Sequence, residues 1–433
     1  MNINKYKGYL IYLVNKYNIK DLDVEFLLNV VSTMIEFIDD NILQLMYMDL
    51  YDIVYDYSME LMESEYIDSN ILEGIYGLSK EESKKLLNNY MNISLSFIFK
   101  YVLPKRSYRK SYIRNNKINN VKIDNQLKKL TDIVQPAQRS DEWYIFRNST
   151  LTASNIYKVF VSEYSQSQLI LEKCEPLNIN KFKVTNTNCP MHWGQKYEPV
   201  SVLYYEYINK TIITEFGCIP HKDYSFIAAS PDGIVCDSSS NLYGRMIEIK
   251  NVVSREITGI PKMEYWIQMQ LQMEACDLNE CDFLETKFLQ YDTEEEYMND
   301  NDMEYKGVIL QYLKDDAPYY VYAPFMLNDL ESTEYKKWEN EEKEKNKDLE
   351  LITRLYWKLV KISCVLVLRN KPWFNKVLPM IDSFWKNLVE ERESGVWKER
   401  ISKKRKLALA DAKSKSDFPK GGCLINPTLF SKE

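Results

Sequence analysis

The residues best suited to chemistry lie near the middle of the chain, in AASPDGIVCDSSSNLYGRMIEIKN at 228–251. Asp232 sits in a Pro-Asp-Gly turn; farther on, Glu248 and Lys250 alternate with Ile247 and Ile249. Successive side chains of an extended segment point to opposite faces. Met246, Glu248 and Lys250 therefore project from one face and the isoleucines from the other. SFIAASPDG reads as a strand ending in a tight turn and YGRMIEIKNVV as a second strand, which sets Asp232 opposite Glu248 and Lys250 across a hairpin. Two carboxylates aimed at one point repel each other and call for a cation between them. Hard oxygen donors select Mg²⁺, with Mn²⁺ able to replace it. Magnesium keeps several waters, and Lys250 would orient one as nucleophile while offsetting charge at a phosphate. That is equipment for hydrolysing a phosphodiester. A surface hairpin with an exposed ion pair has the same spacing, so the neighbouring segments must decide.

Three segments bear on the choice. In QRSDEWYIFRNSTLTASNIYKVF, 138–160, Arg147 lies just before TLTAS, which reads as a helix N-terminus capped by Thr or Ser. Free backbone N–H groups there, with Arg147, Thr152 and Ser154, would make a pocket for a terminal phosphate. In MHWGQKYEPVSVLYYE, 191–206, Glu198 opens or lies within a helix and offers a third carboxylate to the metal. In EYWIQMQLQMEACDL, 264–278, Gln268 and Gln270 interrupt an apolar helix. A buried glutamine needs a partner, for which the phosphate or its water is one candidate and plain surface exposure another.

The elements that must position these groups follow from pattern and composition. Residues 1–100 alternate apolar and polar residues at helical spacing, without proline, and predict a helical accessory domain. Residues 101–135 form a basic segment: 101–130 alone carry nine Lys/Arg against one Asp, interleaved with tyrosines. It reads equally as a nucleic-acid-facing arm and as a solvated linker. Residues 136–325 mix strands and helices and hold every motif above. Residues 326–400 read as C-terminal helices, a charged start running into the apolar RLYWKLVKISCVLVL and a further helix near PMIDSFWKNLVEERESG. A basic tail, 401–433, with KKRK at 403–406, reads as disordered.

Bulk properties narrow the class. With 433 residues, 45% of them hydrophobic, the chain has room for two or three globular domains. A net charge of −7 argues against a basic coat over the whole surface but leaves room for a local basic channel. No apolar run of membrane-spanning length and no secretory leader pattern is present, so neither membrane insertion nor export is expected. Eight cysteines without a CxxC pair, and two histidines, read as reduced thiols in a cytosol-like compartment and argue against zinc.

Four blocks in this order, R-S-x-E-W-x-x-x-R with TAS shortly after, W-G-x-x-Y-E, S-P-D-G followed by E-x-K, and Q-x-Q on a helix, resemble the YqaJ-type viral recombinases. These are the phage lambda exonuclease family within the PD-(D/E)xK nuclease superfamily. The likeness spans about residues 136–290. It implies an α/β (α+β) nuclease core, a mixed central sheet flanked by helices, here with an added N-terminal helical domain and C-terminal helices. It implies Asp232, Glu248 and the Ile249 carbonyl as metal ligands with Glu198 as an additional acid, Lys250 to orient the water, and Gln268 near the nucleophile. Arg147 and Ser154, with Thr152, would hold the 5′-phosphate. The implied activity is a Mg²⁺-dependent 5′→3′ exonuclease on double-stranded DNA ends that leaves 3′ single strands for recombination or repair. A single-strand annealing protein is the expected partner, and an infected host cell, or the virion of a large DNA virus, the expected setting. An endonuclease of the same superfamily and a non-catalytic DNA-binding scaffold are the competing readings. The added terminal regions put the family's ring-shaped trimer in doubt. The iron–sulfur nucleases of the superfamily need four cysteines with a close-spaced C-terminal group, which this chain lacks.

Overall fold

Apolar residues at helical spacing dominate the early part of the chain, and in the computed structural model they form helices. The structure describes residues 24–109, 120–179 and 189–401, with 8, 11 and 12 besides. Helices α1 (Val24–Asn41), α2 (Tyr51–Met62) and α3 (Lys80–Tyr101) pack around Leu27, Val31, Met34, Val54, Leu87 and Met91. A capping box starts α3: the Glu82 N–H donates to Ser79 Oγ and the Ser79 N–H to Glu82 Oε2. Two of the orphan donors at a helix start are thereby satisfied. Arg106 ties this unit to the rest of the chain. Its guanidinium donates to the Leu45 and Met46 carbonyls at 3.0 Å each, and its own carbonyl accepts from Trp266 Nε1 at 3.0 Å.

The basic segment is not uniformly a linker. Residues 110–119 lie outside the described residues, but 120–132 form helix α4 (Asn120–Asp132), which buries Leu127 and Leu130. Gln126 Nε2 donates to the Cys276 carbonyl at 2.7 Å, and Tyr243 donates to Asp124. Gly244, at φ 77°, lets the loop pass close under this helix, since a Cβ there would meet Ile123 Cγ2 at 2.7 Å.

The central region begins with α5 (Asp141–Ser149), β1 (Leu151–Thr152), α6 (Glu163–Cys174) and α7 (Pro190–Asn209). Next come β2 (Ile227–Ala229), β3 (Gly233–Val235), β4 (Met246–Asn251), α8 (Met263–Cys276) and β5 (Glu280–Gln290). After them lie β6 (Lys306–Lys314), β7 (Ala317–Tyr322), α9 (Thr333–Lys345), β8 (Glu350–Leu368) and α10 (Lys371–Ser394). The main sheet runs in the order β7-β6-β8-β5-β4-β3, continued by Ile213–Thr214 next to β3 and joined by Tyr108–Arg109 on β8. Among the described residues its one parallel pair is β4 with β5, Glu248 opposite Phe283. A smaller sheet pairs β1 in parallel with β2, Leu151 opposite Ile227. The architecture is mixed α/β, a central sheet with helices against it. Helix α8 is buried almost all round, with Trp266, Ile267, Met269, Leu271 and Met273 under 2% exposed. Each such side chain contributes about 1.5–3 kcal/mol on leaving water.

Two expectations about the elements fail. The apolar segment after α9 is not a helix but the 19-residue strand β8, paired with β5 on one side and β6 on the other. Ile352, Thr353, Tyr356, Trp357, Val360, Ile362, Val365 and Val367 are β-branched or aromatic, types that favour a pleated, flanked position. The sheet therefore runs past residue 325, where the central domain was expected to end. Of the expected C-terminal helices, α9 and α10 are present, and Trp373 of α10 meets Trp266 of α8 edge to face at 4.9 Å. The tail expected at 401–433 lies, beyond Ile401, outside the described residues. No described helix is long and apolar enough to cross a membrane.

Candidate active site

Strand β4 carries the centre. Glu248 points inward and is fully buried, while Lys250, two residues on, reaches the same cavity from the strand's more open end. Lys250 Nζ pairs with Glu248 Oε1. Asp232 stands immediately before β3, which runs antiparallel to β4 with Gly233 opposite Ile247. Its Oδ2 accepts the Ile249 N–H at 2.7 Å, so the turn carboxylate is fastened to the backbone between Glu248 and Lys250. The hairpin read from the sequence thus exists, with Asp232 at its open end.

Helix α7 brings Glu198. Asn251, the last residue of β4, fixes that helix. Its Nδ2 donates to the Gly194 carbonyl at 2.8 Å, and its Oδ1 accepts from the Ser201 and Thr286 hydroxyls at 2.7 Å each. One face of α7, with Gly194, Gln195 and Glu198, is turned to a cavity of about 430 Å³ that Asp232, Glu248, Ile249, Lys250, Tyr265 and Gln268 also line.

A second, smaller cavity of about 160 Å³ adjoins the first and shares Glu198, Asp232 and Gln268 with it. Its other walls are Gln138, Trp143, Arg147, Ala153, Ser154 and Ser230. Arg147 Nη2 donates to Ser154 Oγ at 3.1 Å, and its guanidinium lies over the Trp143 ring at 4.3 Å. Lys173, buried in α6, donates to the Arg147 carbonyl and anchors the end of α5. The expected helix start at TLTAS is corrected. Leu151 and Thr152 form β1, and the Ala153 N–H is used by the Ala228 carbonyl in that ladder. The Thr152 N–H is taken by Asn155 Oδ1. Leu151 and Thr152 suit a strand beside β2 better than a cap, so the pocket's donors are side chains rather than a helix terminus. Thr152 itself, expected in the pocket, sits behind Ser154, its hydroxyl 3.3 Å from Ser154 Oγ.

Gln270, the other glutamine singled out, faces away: it donates to the Leu368 carbonyl and accepts the Asn370 N–H, joining α8 to the start of α10. Two residues that sequence reasoning missed belong to the site. Gln272 Nε2 donates to Glu248 Oε2 at 2.7 Å and to the Ser230 carbonyl at 3.2 Å. It stands four residues after Gln268 on one helix face, and that spacing was the available signal. Ser230 Oγ is buried at the smaller cavity beside the Cys218 thiol, which also neighbours Arg147. Its signal was adjacency to Pro231 and Asp232.

The electrostatics show an excess of negative charge. Burial, then Glu248 and Glu198, raises the Asp232 carboxyl well above its ordinary range. Burial raises Glu198 as well, with Arg139 opposing and Glu248 reinforcing. Burial alone would lower the Lys250 ammonium, but Glu248 and Asp232 outweigh it and hold the pKa above normal. Among the described residues no three His, Cys, Asp or Glu side chains are gathered closely enough to hold a metal ion by themselves. Mg²⁺ does not require three, because it binds through one or two carboxylates and keeps waters. An all-oxygen set whose carboxylates suffer from each other's charge suits such an ion, which Asp232 and Glu248 could hold with Glu198 nearby. A larger cavity of about 560 Å³ opens where α3, α4 and the start of α10 meet. Its acids Asp277 and Glu280 are already paired with Arg369 and Arg245.

Comparison with known proteins gives the following. Residues 142–279 match the YqaJ-like viral recombinase domain. The uncharacterized protein R354 of Acanthamoeba polyphaga mimivirus is 31% identical over 342 residues, which cover 68% of this chain and 59% of that protein. The chain thus spans less than two thirds of that relative's length. An alkaline exonuclease from Laribacter hongkongensis, LHK-Exo, is 22% identical, with 63% of this chain and all of that one covered, at a TM-score of 0.34. The same exonuclease with dAMP gives 21% identity over the same shares at 0.36. A phage-related exonuclease from Haemophilus somnus is 12% identical over 56% of this chain and 96% of its own, at 0.30. The matched segment begins inside α5 and closes just after α8, so it contains Arg147, Ser154, Glu198, Asp232, Glu248, Lys250 and Gln268 together. Residues 142–279 of the chain are thus similar to the YqaJ-like viral recombinase domain.

Proposed function

We propose that the chain is a Mg²⁺-dependent deoxyribonuclease acting as a 5′→3′ exonuclease on duplex ends, and that it leaves 3′ single strands for recombination or repair. One observation carries the reading: the Arg147–Ser154–Ser230 pocket and the Asp232–Glu248–Lys250 cavity share a wall. An enzyme that must feel a chain end before cutting next to it needs a terminal-phosphate pocket within one nucleotide of its reacting centre. An internal cutter does not.

The roles follow from the geometry. Arg147 gives the terminal phosphate a charge-assisted pair, and the Ser154 and Ser230 hydroxyls add donors in a partly desolvated site. A divalent cation held by Asp232, Glu248 and the Ile249 carbonyl would polarise the phosphoryl oxygen and lower the pKa of a bound water. Glu198 adds negative charge on the helix side of that ion. Lys250 keeps its proton and is placed to orient the attacking water and to offset charge on the phosphoryl group. Gln272 holds Glu248 in its rotamer, and Gln268, between the two cavities, can donate to either phosphate.

The test uses purified chain with linear duplex and covalently closed circle, each with Mg²⁺ and with EDTA. Wild-type protein is expected to degrade only the linear DNA and only with the metal, and Lys250→Ala to lose about 10²–10³ in rate. Cutting of the circle at a comparable rate would move the reading to an endonuclease. Tight binding without cutting would make the centre a DNA platform.

A further inference from the structure

Helix α5 carries Arg147 in its last turn and has only nine residues, none of them buried. So short a helix, without a buried side chain to anchor it, depends on contacts at its ends. The last four carbonyls of a helix lack partners within it and form the negative end of its dipole, so cations are favoured there. Two of those carbonyls in α5 meet a cation. Lys173, 4% exposed in the last turn of α6, donates from Nζ to the Arg147 carbonyl. Arg392 of α10 reaches the next residue, its Nη2 lying 3.4 Å from the Asn148 carbonyl. The same nitrogen donates to the Lys173 carbonyl at 2.9 Å. One guanidinium thus joins the ends of α5 and α6, and Lys173 closes the loop back to Arg147.

Arg392 is itself held in place. Its guanidinium lies 5.9 Å from the Trp385 ring, two helical turns earlier on α10. Trp385 stacks on Phe226 with ring centroids 5.6 Å apart, and the Phe226 carbonyl accepts the Leu151 N–H at 2.8 Å where β1 begins. Past the helix, Arg400 pairs with Glu391, and its Nη1 donates to Ser167 Oγ of α6 at 2.7 Å. Helix α10 and the turn after it therefore grip α6 twice, α5 at its end, and the residue that pairs with the start of β1. Those are the elements that carry Arg147 and lead to Ser154, the two groups joined at 3.1 Å in the smaller cavity. Neither Lys173 nor Arg392 lines that cavity or the larger one beside it, and Arg392 lies beyond the matched segment 142–279.

We infer that Arg392 and Lys173 are positioning residues for the terminal phosphate: they fix the end of α5, hence the place of Arg147, and so set the preference for a 5′-phosphorylated end. The inference rests on the end-sensing reading and extends it to a helix outside the family segment. Arg392 suits the task because one planar guanidinium can serve two carbonyls at once, which an ammonium does less well. The metal-binding cavity is built on β4 and α7 and takes no support from Arg392. Its chemistry on an end that lacks the phosphate is therefore independent of this clamp.

The test measures kcat/KM on linear duplex with 5′-phosphate and with 5′-hydroxyl ends in Mg²⁺. The proteins are wild type, Arg392→Ala, Arg392→Lys, Lys173→Met, Arg147→Ala and the double variant Arg147→Ala/Arg392→Ala. Arg392→Ala and Lys173→Met should each lower the phosphate-to-hydroxyl ratio about ten- to hundredfold, the scale of a slightly misplaced binding group, with the rate on hydroxyl ends unchanged. Methionine keeps the buried stem of Lys173, so that variant carries the test if Arg392→Ala folds poorly. Arg392→Lys should retain part of the ratio. The double variant should show the ratio of Arg147→Ala alone, since nothing is left to position. A wild-type ratio in both Arg392→Ala and Lys173→Met, an equal loss of rate on both kinds of end, or a further drop in the double variant would overturn the positioning role alone. A wild type indifferent to the 5′-phosphate would overturn the end-sensing reading and this inference with it.

Discussion

Asp232 concentrates the cost of the site in one side chain. Its folded pKa is raised, so its favourable contribution to stability is present below the unfolded carboxylate value of about 4 and is lost as pH rises through the folded value. In metal-free protein, Asp232→Asn removes that loss. The Tm advantage of Asp232→Asn over wild type should grow as pH is raised from about 4, and the variant should gain little from added Mg²⁺, whereas wild type gains several degrees. Thermal denaturation with and without EDTA across pH measures this, and a variant less stable than wild type at every pH would contradict it. Asp232, Glu248 and Lys250 were legible because alternation on a strand places charges without knowledge of the partner strand. Gln272 and Ser230 were not. What makes Gln272 significant is its bond to Glu248, 24 residues away, and what marks Ser230 is its burial in the wall of the smaller cavity, which only packing can show.

At the scale of elements, the site depends on α7 standing at a fixed height against β4. Asn251 sets that height through Gly194, Ser201 and Thr286. Asn251→Ala leaves buried polar groups unpaired and should cost about 1–3 kcal/mol. Urea denaturation should show that loss, and kcat should fall more than the preference for a 5′-phosphate end, because Glu198 moves while Arg147 and Ser154, carried by α5 and the turn after β1, do not. The helical patterns of α1, α3 and α10 were readable because each carries a long amphipathic repeat. β8 was not, since a long apolar run lacks a period that separates a buried helix from a buried strand. Its β-branched residues were the better guide. TLTAS misled for a related reason: Thr and Ser favour caps, but Leu151 and Thr152 found a parallel partner in β2, 76 residues on, and tertiary pairing overrode the local preference.

Across the described residues, the helices before the central region and the elements after residue 325 are structural parts of it. β8 completes the sheet between β5 and β6, and Arg106 joins the early helices to α8. Arg106→Ala would leave the Leu45 and Met46 carbonyls without their charged donor and should destabilise the chain by about 1.5–3 kcal/mol. A single cooperative transition shifted to lower urea would agree with that coupling, and an unshifted one would contradict it. The most direct measurement concerns the shared wall of the two cavities. Digestion rates of linear duplex with 5′-phosphate and with 5′-hydroxyl ends should be compared for wild type and Arg147→Ala. The expected result is that wild type strongly prefers the phosphorylated end and that Arg147→Ala loses the preference while retaining slow, metal-dependent hydrolysis. The same ratio in both proteins would contradict an end-sensing pocket at Arg147, and with it the exonuclease account.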